Sequence, residues 1–174
     1  MTLAASATWH DAPGALAYAR PMESYAVSPI AHVASPRSEP VDDDWAGVES
    51  TIALAASFGA DALRGLTEFS HIEVVYVFHL VDPASIADGA RRPRGNSDWP
   101  EVGIFAQRAK ARPNRLGVSC CELLAVEGTT LRVRGLDAVN GTPVLDIKPC
   151  MREFAPRGEV REPAWAEELM AGYF

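Results

Sequence analysis

Residues Phe69 to Leu80, FSHIEVVYVFHL, carry the clearest alternation in the chain. Ile72, Val74, Tyr76, Phe78 and Leu80 fall on one face, and His71, Glu73, Val75, Val77 and His79 on the other, which is the period of two of a β-strand. The first face predicts core. The second is less apolar and carries both histidines, which turns it toward a ligand or partner near its ends.

The same reading marks further strands on either side. Ser24 to Ala34 reads as a first strand at a sheet edge, because Pro29 removes a ladder donor. Glu49 to Ala55 reads as a second strand, Gly103 to Ala106 as a short one, and Pro143 to Pro149 as another. Leu116 to Val126 and Thr129 to Val133 make a hairpin across Glu127-Gly128. Asp61 to Leu66 forms one helical turn with Gly65 near its end, and Pro163 to Phe174 is helix-compatible through Trp165, Leu169 and Met170. Six or seven strands with few helices predict an all-β chain: a small, mostly antiparallel β-barrel with short helical segments at the ends.

Between these elements lie turn-rich stretches. Residues 35–48 are acidic and carry Trp45, and residues 82–101 form a long loop of the kind that covers a site. Residues 1–22 show no sustained period and read as a flexible arm, so the expected organisation is 1–22 arm, 23–150 barrel and 151–174 carboxyl-terminal extension. The amino end lacks the basic and apolar regions of a secretory signal, which points to a cytoplasmic protein. No apolar run reaches the roughly 18 residues of a membrane span.

Charge narrows the classes of partner. The net charge of −7, from 23 acidic and 16 basic residues, opposes broad, sequence-independent binding to nucleic acid. It leaves room for a local patch, because Arg91, Arg92, Arg94, Arg108, Lys110, Arg112 and Arg115 are seven of those 16 basic residues. Cys120, Cys121 and Cys150 are odd in number and match no metal-ligand spacing, so reduced thiols are expected.

Candidate chemistry lies at the ends of the strand-like runs between Arg108 and Lys148, where rigid strands fix geometry and loop ends supply groups. The chain has no glycine-rich dinucleotide fingerprint, P-loop, GxSxG elbow or HExxH motif, so a nucleotide cofactor would be held another way. His79 can act as a general base or as a satisfied strand-end histidine. His71 reads as structural. Arg108 suits a carboxylate, or is an exposed strand-end arginine. Asp146 and Lys148 share a strand face and can pair with each other or serve a site. Asn114, between Pro113 and Arg115, can simply stabilise a turn.

Three blocks in order then resemble one family. They are Phe69-Ser70-His71-Ile72 with Phe78-His79; Gly103-Ile104-Phe105-Ala106-Gln107-Arg108 followed by Arg112-Pro113-Asn114 and Gly117-Val118-Ser119; and Leu136-Asp137 with Gly141-Thr142-Pro143 and Asp146-Ile147-Lys148-Pro149. Over residues 27–150 the chain resembles the TrmO, or TsaA-like, family of small β-barrel methyltransferases. These use S-adenosylmethionine to modify threonylcarbamoyl-adenosine in tRNA.

The resemblance implies that His79, Leu80, Arg108, Val118, Leu136, Asp137, Ala138 and Val139 line a pocket for S-adenosylmethionine, with His79 as the candidate catalytic residue. Arg112, Asn114, Asp146 and Lys148 are the candidate substrate-binding residues. It also implies tRNA as partner and a homodimer, which would cover the second face of the strand at 70–80. A methyltransferase acting on a small molecule and a non-catalytic cofactor-binding module are the alternatives. The chain departs from the family pattern in three places. Acidic Asp42-Asp43-Asp44-Trp45 replaces a Pro-Arg-Gln segment, Gln107 stands for Thr or Ser, and Arg115 stands for Pro. The larger bacterial members also carry an extra carboxyl-terminal domain, which a length of 174 residues is expected to be too short to hold.

Overall fold

A computed structural model describes residues 23–174, so the expected arm at 1–22 lies outside the described residues. Six antiparallel strands close into a barrel: β1 (Ala31–Ala34), β2 (Glu49–Leu54), β3 (His71–Val77), β6 (Leu116–Glu127), β7 (Thr130–Arg134) and β8 (Pro143–Pro149). Their order around the barrel is β1-β2-β7-β6-β3-β8. Two further short strands, β4 (Ala90–Arg91) and β5 (Val102–Gly103), pair as a separate ribbon.

Alternation decides which side chains enter the barrel. Ile72, Val74 and Tyr76 of β3 are buried with Ile52, Leu131, Val133 and Val144 from the other strands, while Glu73, Val75 and Val77 point outward. Removing this much apolar area from water is the main stabilising term, about 1.5–3 kcal/mol for each fully buried large aliphatic side chain. Leu136 and Ala138, just past β7, close one end of the same cluster, and Leu63, in a 3-10 turn, packs against it.

Several sequence expectations shift. The edge strand expected over Ser24 to Ala34 is confined to Ala31–Ala34, and it pairs with both β2 and β8, because closing the barrel leaves no edge. Pro29 sits ahead of it. β3 ends at Val77, so Phe78, His79 and Leu80 belong to a turn in which Val81 N donates to Phe78 O at 3.2 Å. The strand expected over Gly103 to Ala106 is only Val102–Gly103; Ile104–Ala106 coils into a 3-10 turn that buries Ile104. The hairpin turns at Gly128, whose φ of 61° needs glycine's freedom, and the final helix, α1, spans Ala164–Met170.

The cysteines split between the two faces. Cys121 is buried inside, and that burial pushes its thiol up to about 12. Cys120 and Cys150 are both free thiols on the outer side, their sulfurs 2.8 Å apart. No described helix is long and apolar enough to cross a membrane.

Gly117 is opposite Tyr76 in the β3–β6 register, and a Cβ there would lie 2.4 Å from the tyrosine ring. Gly117→Ala should therefore destabilise the fold by about 1–3 kcal/mol, since an interior this dense cannot absorb a methyl group. A urea midpoint equal to that of the unmodified protein would contradict this packing.

Candidate functional site

The end of β3, the start of β6 and the segment after β7 meet at one mouth of the barrel. A cleft of about 1170 Å³ opens there, with loops 40–45 and 105–114 and the carboxyl-terminal segment as its outer walls. At its floor lies a cluster of hydroxyls around one carboxylate. The Tyr76 phenol donates to Asp137 Oδ1 at 2.9 Å, Ser119 Oγ donates to the same oxygen, and Tyr173 Oη donates to Asp137 Oδ2 at 2.7 Å.

Burial, followed by the negative charge of Asp137, raises the pKa of both phenols well above the ordinary tyrosine value. Both therefore remain donors at neutral pH. Ser119 and Tyr76 were not singled out as site residues in the sequence. The signal for Tyr76 is a hydroxyl at the last inward position of the most apolar strand, where a phenol needs a partner.

The candidate cofactor residues are largely brought together. His79, Leu80, Arg108, Val118, Asp137, Ala138 and Val139 all border the cleft. His79 is half-buried, with Nδ1 3.4 Å from Thr142 Oγ1. Exposed Leu80 and Val118 and the half-buried Val139 give apolar wall, and Arg108 is an exposed arginine that donates to Val118 O. Leu136 differs: its side chain is wholly buried in the barrel core, and it does not border the cleft.

The candidate substrate residues divide. Arg112 and Asn114 border the cleft, on a turn closed by Arg115 N donating to Arg112 O at 2.9 Å rather than by the Asn114 side chain. Asp146 and Lys148 do not border it; on β8 they form an ion pair with each other. His71 is exposed and hydrogen-bonds Ser70 at 2.9 Å, away from the cleft.

The departures from the family pattern acquire physical reasons. The Gln107 amide is buried and donates to Arg91 O and Val102 O, both at 2.9 Å, which ties the β4–β5 ribbon together. Arg115 has φ +51°, a conformation closed to proline, and its guanidinium donates to Val81 O at 3.3 Å. With Phe78 N donating to Arg115 O at 2.8 Å, Arg115 clamps the turn that carries His79.

The acidic segment binds the basic one. Asp42 pairs with Lys110 at 2.8 Å and Asp43 with Arg94 at 2.6 Å, so part of the positive cluster read from the sequence is already neutralised. Arg37 holds this loop from behind by donating to Asp43 O and Asp44 O while stacking 4.5 Å from the buried Trp45 ring.

The chain is similar to known proteins over most of its length. The family model for the tRNA-methyltransferase O N-terminal domain matches residues 32–155. A probable S-adenosyl-L-methionine-binding protein of Pyrococcus abyssi is 36% identical over 152 residues, 80% of this chain and 75% of the relative. A protein of Methanothermobacter thermautotrophicus with the same description is 41% identical, over 71% of this chain and 88% of its own length. The tRNA (adenine(37)-N6)-methyltransferase of Escherichia coli is 43% identical over 52% of this chain, but the match spans only 40% of that enzyme. A crystal structure of TrmO superposes with a TM-score of 0.68 at 30% identity, covering 82% of this chain and 64% of the other. The chain belongs to the family defined by the tRNA-methyltransferase O N-terminal domain.

Proposed function

We propose that this protein binds S-adenosylmethionine in the cleft at the barrel mouth and methylates N6 of threonylcarbamoyl-adenosine in tRNA. The observation that supports this most is convergence: the runs 78–80, 105–119 and 137–142, far apart in sequence, border one cleft. Its volume of about 1170 Å³ exceeds the roughly 300–1,000 Å³ of ordinary small-ligand pockets, which leaves room for a base beside the cofactor.

The donor set fits the cofactor. Arg108 offers a guanidinium fork to the aminoacid carboxylate, Leu80, Val118, Ala138 and Val139 offer apolar wall to the adenine, and Asp137 offers a carboxylate to a hydroxyl or amine. When bound, the cofactor supplies an electrophilic methyl group. The chain's residues hold it, exclude water and align the acceptor amine, so that positioning carries much of the rate. His79 is assigned to take the acceptor's proton, and Arg112 and Asn114, which border the same cleft, are assigned to hold the acceptor.

The relatives described only as binding S-adenosylmethionine are those matched over most of their length, which favours a binding module as the second reading. The two readings share the cofactor and differ in transfer. Homodimerisation is part of the proposal: Val75 and Val77 stand half-buried on the outer face of β3, outside the cleft, an apolar strip a second copy would cover.

Titration calorimetry should show saturable binding of S-adenosylmethionine, and a null titration would sink both readings. Arg108→Ala should weaken that binding about tenfold, the scale of one charge-assisted hydrogen bond at an exposed site. If the mutant instead keeps cofactor affinity and loses only salt-sensitive RNA binding, Arg108 contacts phosphate. Mass spectrometry of nucleosides from tRNA carrying threonylcarbamoyl-adenosine should show gain of one methyl group on that nucleoside; binding without any methyl gain leaves the module. Light scattering at micromolar concentration should give twice the chain mass, and a stable monomer rejects the dimer.

A further inference from the structure

We infer that Tyr173 is a positioning residue for Asp137, delivered to the cleft by the carboxyl-terminal segment 164–174, which thereby forms the closing wall of the cofactor site. The inference rests on the proposed binding of S-adenosylmethionine. It adds a residue outside the three sequence blocks and outside the matched region, which ends at residue 155.

The carboxylate geometry carries the argument. An ionised Asp has two oxygens with about four acceptor positions between them. Tyr76 and Ser119 take both positions on Oδ1 from the barrel side, and Tyr173 takes one on Oδ2 at 2.7 Å. One position on Oδ2 is left to a ligand donor, such as a ribose hydroxyl or an amine. Oδ1 alone does not fix the aim of that free position; the Tyr173 hydrogen bond stops the carboxylate from rocking about it.

The segment is held as a support would be. Asp44 N donates to Gly172 O at 2.9 Å and Trp45 N donates to Tyr173 O at 2.8 Å, so the chain end is hydrogen-bonded onto the loop around the buried Trp45. Trp99 Nε1 donates to Glu168 at 2.8 Å and secures α1 to the loop at 82–101. Gly172 adopts φ +85°, a left-handed bend that turns the chain after α1 so that Tyr173 enters the cleft and Phe174 borders it with an exposed ring. Trp165, Leu169 and Met170 of α1 border the cleft. The raised pKa of the Tyr173 phenol, from burial and then from Asp137, keeps its proton in place for donation.

The test is a double-mutant cycle on S-adenosylmethionine affinity, read by calorimetry with the full chain. Tyr173→Phe removes one hydroxyl and should raise the dissociation constant about 5- to 10-fold, less than the loss of a direct hydrogen bond to a charged group because the effect reaches the ligand only through Asp137. Asp137→Asn should also weaken binding, and on that background Tyr173→Phe should add less than about twofold, because residues acting as a unit are non-additive. Wild-type affinity or tighter binding in Tyr173→Phe overturns the inference, as does a full, additive loss in the double mutant. If the unmodified protein itself does not bind the cofactor, the proposed function fails and this role falls with it; loss of the role alone leaves unmodified binding intact.

Discussion

The site depends on one buried phenol meeting one carboxylate. Tyr76 is 1% exposed at the last inward position of β3, where its hydroxyl has left water and must find an acceptor. Asp137 supplies it, and in doing so fixes the chain that leaves β7 against the barrel mouth. Losing either partner removes the shortest bond of the Tyr76 hydroxyl, at a cost of about 1 kcal/mol, since Ser119 stays within reach of both groups. The same contact that finishes the core thus sets the floor of the cleft, so stability and function are coupled at this point.

How much of this was legible from sequence follows from the range of each interaction. The strands β2, β3, β6, β7 and β8 are read nearly to their ends, because alternation is local and each strand buries a single face. The misplacements arise where closure or turn geometry overrides local pattern. Ala31–Ala34 became an inner strand through pairing with β8, more than a hundred residues away, and Phe78 to Leu80 left the strand because Arg115 holds them in a turn. Arg108 and Ala138, on the ordered blocks, were singled out by motif, and both border the cleft. Tyr173 was not, since nothing in a tyrosine next to the chain end reveals what it will touch.

Charge needed the fold to be understood. Seven basic residues between 91 and 115 read as a free patch, yet Asp42 and Asp43 reach across to pair with Lys110 and Arg94. Such half-exposed pairs contribute little stability, about 0–1 kcal/mol each, but they dock the acidic loop along the cleft. They leave Arg91, Arg108 and Arg112 at the cleft without an acidic partner among the described ion pairs.

Closure of the barrel has a consequence for assembly. Open sheets often recruit a partner by lending backbone N–H and C=O groups at an edge, a mode that tolerates many sequences. Here every strand from β1 to β8 around the ring has a neighbour on both sides, and β1 with β8 completes the circuit. Whatever meets this barrel, whether a second copy or a folded RNA, must be recognised through side chains and loops. Partner choice is therefore written in outward side chains, which can change one at a time while the hydrogen-bonded ring that carries them stays the same.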